Sequence, residues 1–292
     1  MKNQKPEPET IKSVLKKITA QFQSAELEKP QLEAELILSQ AIGIARPALY
    51  LEPGRVIDPS LIAGINSWTR ERIERKPLSY IIGKAWFREL ELEVNPAAMI
   101  PRPETELLVE EAIQLIKSDA GIKKILDLAT GSGAIILSLA MELRKIRPDL
   151  EFFASDLSQP ALELARKNAH RLRLEDQIDF RPGDLFQPFP QEKFHLIICN
   201  PPYIPENELP SLMPEVSRYE PQIALNGGKE GLDLIRSIIL QAPAYLAPSG
   251  WLILELGSGQ AGKLVKLEIT GLKLQKLVKD FQGIDRIALF RR

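Results

Sequence analysis

The chain has 292 residues, which at roughly 150 residues per domain is enough for two domains or one large core with an appendage. Hydrophobic residues at 44% and charged residues at 26% exclude disordered and fibrous classes. With 38 Lys and Arg against 39 Asp and Glu, the net charge of -1 removes the global electrostatic footprint of a protein that lives on nucleic acid or anionic lipid.

The opening residues MKNQKPEPET are polar and lack the apolar run of a signal peptide, and no apolar stretch approaches the ~18 residues of a membrane span. A cytoplasmic location without membrane attachment is expected. One cysteine, Cys199, and two histidines, His170 and His195, can form neither an internal disulfide nor a Cys/His zinc cluster, which points to a reducing compartment and no metal.

From Thr10 to about Gly83 the pattern is helical. Ile11, Val14, Leu15 and Ile18 recur at three and four residues, as do Leu32, Leu36, Ile37 and Ala41 after Pro30. Turns at PGR and IDP divide this stretch into a small N-terminal helical bundle, residues 1–83. Its 12 Lys and Arg against 10 Asp and Glu argue for protein recognition or packing rather than DNA binding. Residues 84–100 change to mixed aromatic and alternating apolar positions, Trp86, Phe87, Leu90, Leu92 and Val94, and read as a β-hairpin linker. Pro101-Arg102-Pro103-Glu104 is expected to open a helix running Glu104 to Lys117, because proline at the first helical position has no amide to waste and early carboxylates suit the positive helix end.

Beyond it, short apolar runs alternate with helical stretches. IKKILDL precedes a helix from Ala134 to Arg144, LEFFASD precedes one from Gln159 to Leu172, and QIDFRPGD and FHLIICN follow. Then come a helix near Leu232 to Leu246, the strand WLILELG, a helix from Gln260, and closing strands near Leu272 and Ile287. Repeated strand-helix units of this length indicate an α/β domain over residues 101–292, a mostly parallel sheet with helices on both faces.

The candidate chemistry sits where these strands end. Asp127-Leu128-Ala129-Thr130-Gly131-Ser132-Gly133 closes the first strand and leads into an apolar helix, whose unpaired amides and dipole favour a closely approaching ligand. Asp156 ends the second strand 23 residues beyond Gly133, near the ~20 at which an acid usually meets ribose hydroxyls; it equally suits a cap for the following helix. Asp184 ends the third, where it can accept an adenine amino group or simply serve the turn. Asn200-Pro201-Pro202-Tyr203 follows the fourth. Its prolines fix an extended, donor-free backbone that aims the Asn amide and a Pro carbonyl, both acceptors for a substrate NH2, into one crevice, and the Tyr ring can cover a planar group.

Together these residues resemble the class I S-adenosylmethionine-dependent methyltransferases, with their Rossmann-like seven-stranded sheet, and the NPPY set is similar to enzymes that methylate planar nitrogens. Pro77-Leu78-Ser79-Tyr80-Ile81, Ile100-Pro101-Arg102-Pro103-Glu104-Thr105-Glu106, Tyr219-Glu220-Pro221, Gly227-Gly228-Lys229-Glu230-Gly231-Leu232 and Asp285-Arg286 narrow the resemblance. They look like the family that methylates the glutamine N5 of the Gly-Gly-Gln motif in peptide chain release factors. The resemblance implies S-adenosyl-L-methionine as cofactor, S-adenosyl-L-homocysteine as product, and a release factor as partner; a monomer is expected. It places Thr130, Gly131, Ser132 and Gly133 at the methionine end, Asp156 on the ribose, and Asp184 and Leu185 at the adenine, with Asp127, Ala129 and Asn200 also binding the cofactor. Asn200, Pro201, Pro202 and Tyr203 would grip the glutamine amide, and Arg102, Pro103 and Thr105 would shape the pocket wall.

Ala129 departs from the family, which usually has Gly there. A positive φ at that position costs ~1–2 kcal/mol and a negative one little. Nucleic-acid amine methyltransferases share the NPPY chemistry, and a ribosomal-protein glutamine methyltransferase is equally compatible with it. A non-catalytic cofactor-binding protein is the reading from a different class. Cys199, in an apolar strand, reads as a small core residue.

Overall fold

The computed structural model describes residues 8–265 and 270–292. It comprises two compact units, Met1–Gly83 with Pro214–Tyr219, and Lys84–Met213 with Glu220–Arg292.

The first unit holds α1 (Ile11–Ser24), α2 (Pro30–Ile42), α3 (Ala48–Leu51), α4 (Pro59–Ile73) and α5 (Leu78–Ile82). Their starts follow from local chemistry. Thr10 and Ser13 form a reciprocal capping box on α1, Pro30 opens α2, and Asp58 caps α4 by accepting from the Ser60 amide at 2.9 Å. The apolar stripe Ile11, Val14, Leu15, Ile18 and Phe22 of α1 packs with Ile37 and Leu38 of α2 and Ile65 of α4 into one core. The Arg72 side chain, only 7% exposed, is held by Glu33 and by Glu215 at 3.1 Å, which ties the 214–219 segment into this unit. A sequence reading in chain order assigns that segment to the α/β domain, because the pattern carries no sign of a partner so far back along the chain.

The second unit begins with the antiparallel pair β1 (Lys84–Phe87) and β2 (Leu90–Glu93). It continues with α6 (Thr105–Ser118), β3 (Lys124–Leu128), α7 (Ala134–Leu143), β4 (Glu151–Asp156), α8 (Gln159–Leu172), β5 (Ile178–Pro182) and β6 (Phe194–Cys199). After α9 (Pro214–Ser217), which belongs to the first unit, come α10 (Asp233–Tyr245), β7 (Leu246–Glu255), α11 (Ala261–Leu264), β8 (Lys273–Lys279) and β9 (Asp285–Arg291). Any continuation of the helix expected from Gln260 past residue 265 lies outside the described residues.

The seven strands order as β5-β4-β3-β6-β7-β9-β8, with the first five parallel and β9 antiparallel to both of its neighbours. This is the expected mostly parallel seven-stranded sheet. One face is covered by α6, α7 and α8 through residues such as Leu108, Ile136 and Ala169, and the other by α10 through Ile235, Ile238 and Ile239. Strands buried on both faces read as unbroken apolar runs, as in Leu196, Ile197, Ile198 and Cys199.

The helix expected from Glu104 starts at Thr105, and both prolines lie before it rather than at its first position. Pro101 and Pro103 each disfavour helical backbone in the residue ahead of them, so regular structure begins only after the second.

Candidate active site

The strand order reverses at β3, which has β4 on one side and β6 on the other, and open parallel sheets bind ligands at such a switch point. Leu128 of β3 pairs with Cys199 of β6, so the next residues along, Ala129 and Asn200, emerge at the same edge of the sheet. Both line a cavity of about 610 Å³, together with Pro101, Thr105, Thr130, Gly131, Ser132, Asp156, Asp184, Leu185 and Pro202. Leu157, Ala134, Ile135 and Ile223 supply apolar wall.

The three acids end successive strands but differ in environment. Asp127 is fully buried; its Oδ2 accepts from the Thr130 hydroxyl at 2.6 Å, and its Oδ1 has no hydrogen-bond partner among the described residues. Burial, reinforced by neighbouring Asp156 and opposed by Thr130, pushes its pKa up to about 7. Asp156 accepts from the Gly131 and Ser158 amides, both at 2.8 Å, and burial raises its pKa against those two bonds. Thus it both braces the helix start and faces the cavity. Asp184 is exposed at the cavity margin, while Leu185 beside it is buried with a φ of 46°.

Ala129 has a φ of 53°, so the backbone at this turn is left-handed although a methyl is present, a strain of ~1–2 kcal/mol. Gly133 does not line the cavity. A Cβ there would lie 2.8 Å from Leu137 Cδ1 and 3.2 Å from Ala165 Cβ, so helix packing accounts for this glycine.

At the other end, the Asn200 amide nitrogen donates to Thr105 Oγ1 at 2.9 Å, which turns the carbonyl oxygen of the same amide the other way. Pro201 is buried, and of the two prolines only Pro202 lines the cavity. Tyr203 packs against the core with its hydroxyl donating to Glu255 Oε1 at 3.3 Å, and it is not among the lining residues. Burial is the first cause that pushes its phenol pKa up. A phenol tethered to a buried carboxylate anchors the turn rather than lying over the cavity as a cover. Arg102 and Pro103 also lie off the wall. Arg102 pairs with the buried Glu220, whose other oxygen accepts from the Ile100 amide at 3.3 Å, so it braces the segment whose Pro101 and Thr105 do form wall.

Sequence reasoning missed Glu220 as a brace, and it gave Glu255 and Gln260 no part in the site. Gln260 donates to the Tyr203 and Gly231 carbonyls, both at 2.9 Å, and accepts from the Gly257 amide at 2.8 Å. A Cβ at Gly231 would sit 2.2 Å from the Tyr203 carbonyl oxygen, so the Gly-rich 227–231 loop is small because it lies directly on the Tyr203 backbone. The signal in the chain was a glutamate inside the otherwise apolar WLILELG run.

Cys199 is buried, and burial holds its thiol well above the usual range, so it is no nucleophile. No set of three His, Cys, Asp or Glu side chains among the described residues could hold a metal ion, and no helix among them is long and apolar enough to cross a membrane.

Residues 13–83 match the PrmC N-terminal domain and residues 104–213 the methyltransferase small domain. A release factor glutamine methyltransferase of Geobacter sulfurreducens is 38% identical over 285 residues, 97% of each chain. One of Gloeobacter violaceus is 42% identical over 224 residues, covering 76% of this chain and 77% of its own. The hMettl16 catalytic domain, solved in complex with MAT2A 3′UTR hairpin 6, aligns over 81% of this chain and 84% of its own, with a TM-score of 0.52 and 16% identity, and so shares the fold. With that fold, this switch-point cavity and a relative 38% identical over 97% of both chains, the chain belongs to the release factor glutamine methyltransferase family.

Proposed function

We propose that the protein transfers a methyl group from S-adenosylmethionine to the N5 amide nitrogen of the glutamine in the Gly-Gly-Gln motif of a peptide chain release factor. The observation that carries this reading is Asn200: with its amide nitrogen committed to Thr105, its oxygen is left to accept from a substrate NH2. The names of the relatives, matched over nearly the whole chain, support the same substrate.

The acids suit the cofactor, which carries a sulfonium and an ammonium charge. Asp127 has a buried oxygen without a partner among the described residues, and Asp156 retains acceptor capacity beyond its two backbone bonds. Under this reading Asp156 holds the ribose, Asp184 and Leu185 flank the adenine, and Thr130, Gly131 and Ser132 hold the methionine end beside Asp127 and Ala129. When bound, the cofactor supplies an electrophilic methyl and leaves as S-adenosylhomocysteine.

An amide nitrogen is a poor nucleophile because its lone pair is delocalised into the carbonyl. The Asn200 side-chain oxygen and the Pro201 backbone carbonyl accept its two N–H bonds, favour the pyramidal, developing-positive nitrogen, and aim the lone pair at the methyl. Holding nitrogen and carbon about 3–3.5 Å apart supplies much of the rest. The nitrogen–carbon bond would form as the sulfur–carbon bond breaks, and the positive charge passed to the nitrogen would then leave as one proton to water. The helical unit recognises the release factor, and the protein acts as a cytoplasmic monomer without a stable nucleic-acid complex.

The test offers labelled S-adenosylmethionine with a release factor, a ribosomal protein and mixed nucleic acid in parallel. Label confined to the release factor glutamine is the expected result. Label in the ribosomal protein or the nucleic acid instead would overturn the substrate, and no label in any of them would overturn the proposed transfer.

A further inference from the structure

The cavity wall carries polar groups that the cofactor and the glutamine amide leave unused. They lie on the 226–233 segment, which is fastened to the substrate end: the Gly227 amide donates to the Ile204 carbonyl at 2.8 Å, the Ile204 amide donates to the Leu225 carbonyl at 3.0 Å, and a Cβ on Gly227 would come within 2.8 Å of Tyr203 Cα. Asn226, Gly228 and Asp233 of this segment line the cavity along with Asn200 and Pro202. Asp233 is the first residue of α10 but caps nothing there, since the N-cap is Leu232 and no side chain bonds the helix start. Nor is its charge paired. Arg236, one turn along the same helix, goes instead to Glu230 at 2.9 Å, as does Lys263 at 3.7 Å, and the exposed Asp233 carboxylate has no hydrogen-bond or ion-pair partner among the described residues. A Cβ on Gly228 would run into that carboxylate, so a glycine, with φ of 85°, is needed for the acid to lie where it does.

Asn226 complements it. Its Oδ1 accepts from the Gly228 amide at 2.8 Å, and the NH2 of the same side chain, without a partner among the described residues, is left as a donor. A free acceptor and a free donor on one short segment match the N–H and C=O of an extended peptide. Ile223 on the same wall is 57% exposed, apolar surface that such a peptide would cover. We infer, resting on the glutamine reading above, that Asp233 and Asn226 form a main-chain subsite for the peptide that carries the glutamine: Asp233 accepts a backbone N–H of the Gly-Gly-Gln segment, and Asn226 Nδ2 donates to a backbone carbonyl. The two glycines of that segment have no side chains, so their backbone can approach a wall itself made of glycine. Bulky neighbours would hold a glutamine off the wall, and the subsite thereby favours a Gly-Gly context over any other glutamine amide. Both residues act on substrate binding, so their effect falls on KM rather than on kcat or cofactor affinity.

The experiment measures initial rates against release factor concentration at saturating S-adenosylmethionine, with cofactor affinity read by calorimetry. Asp233→Ala raises KM for the release factor about tenfold, with kcat and cofactor Kd each within about twofold of the unaltered protein. Asp233→Asn, which keeps one acceptor oxygen without the charge, raises KM only about threefold, and the gap between the two variants persists in high salt, where a distant charge would be screened. Asn226→Asp keeps the bond to the Gly228 amide, loses the donor, and raises KM about fivefold. A KM within about twofold for Asp233→Ala would overturn the inference, as would equal values for Ala and Asn, which would make the charge and not the acceptor responsible. So would weakened cofactor binding, which would put the carboxylate on the cofactor, or a fall in kcat at unchanged KM. If Asp233→Ala does not fold, Asp233→Asn and Asn226→Asp decide, and an unchanged KM for both would overturn it. Absence of transfer by the unaltered protein refutes the glutamine reading and this inference with it; normal transfer with indifferent variants refutes the subsite alone.

Discussion

The two ends of the cavity are built in different ways. The end lined by Thr130, Gly131 and Asp156, with Asp127 buried behind it, is made of neighbouring strand ends and the turns that follow them, and its bonds are shorter in sequence: Thr130 to Asp127 spans three residues, Ser158 to Asp156 two and Gly131 to Asp156 25. At the Asn200 end the parts come from far apart, Thr105 to Asn200 across 95 residues, Tyr203 to Glu255 across 52, and Arg102 to Glu220 across 118. A site can thus combine a half encoded within two neighbouring strand-turn units, which we assign to the cofactor, with a half that exists only once the whole sheet has closed. Damage to the first should appear in cofactor affinity, and damage to the second in turnover or stability.

The sharpest break in that comparison is Asn200→Ala. Loss of the acceptor oxygen should lower kcat by about 100-fold or more while cofactor Kd, read by calorimetry, stays nearly unchanged; retained turnover would show that the oxygen does not hold the substrate. Asp156→Ala should do the reverse, weakening cofactor binding about tenfold or more, because it removes acceptors from the cavity along with the brace on the Gly131 and Ser158 amides. An unchanged Kd would remove the ribose assignment.

Arg102→Ala separates the wall from its brace. It leaves the buried Glu220 carboxylate with the Ile100 amide alone, and should cost about 2 kcal/mol in denaturant unfolding. A loss confined to kcat, with stability intact, would instead put Arg102 at the substrate.

Protons probe the local half. The Asp127 carboxyl, raised to about 7 from an ordinary 3.8, binds more protons folded than unfolded between those values. The cofactor-free protein therefore loses stability from this group as pH rises from about 4 to about 7, and the loss levels off above that. Subtracting the stability profile of Asp127→Asn from that of the unaltered protein isolates the slope; a flat difference would mean that Asp127 is solvated. The smallest effect is expected at Ala129, where φ is 53°. Ala129→Gly relieves the left-handed strain and should raise stability in thermal unfolding by less than about 1 kcal/mol, since glycine also loosens the unfolded chain.

The same division explains what the amino-acid sequence makes legible. Asp156 is readable because it ends an apolar run about 20 residues past the glycine turn, Asp127 and Asp184 because they lie near the ends of neighbouring strands, and the strand-helix alternation implies the parallel sheet. Asn200 is readable from the proline pair behind a buried strand. Thr105 and Arg102 enter through a family resemblance, and nothing local distinguishes Thr105, which touches Asn200, from Pro103, which is exposed and off the wall. Tyr203 reads as a cover for a flat group, and only the tertiary structure turns its hydroxyl inward to Glu255. The 214–219 segment joins the helical unit through Glu215 and Arg72, a pairing over 143 residues that no periodicity signals.

The most direct test is the position of the methyl group itself, mapped by tandem mass spectrometry on a release factor after reaction with the unaltered protein and with Asn200→Ala, both shown to bind cofactor. The account predicts one methyl on the side-chain amide nitrogen of the Gly-Gly-Gln glutamine with the unaltered protein and none with the variant. A methyl on any other atom, or an equal yield from both proteins, would contradict it.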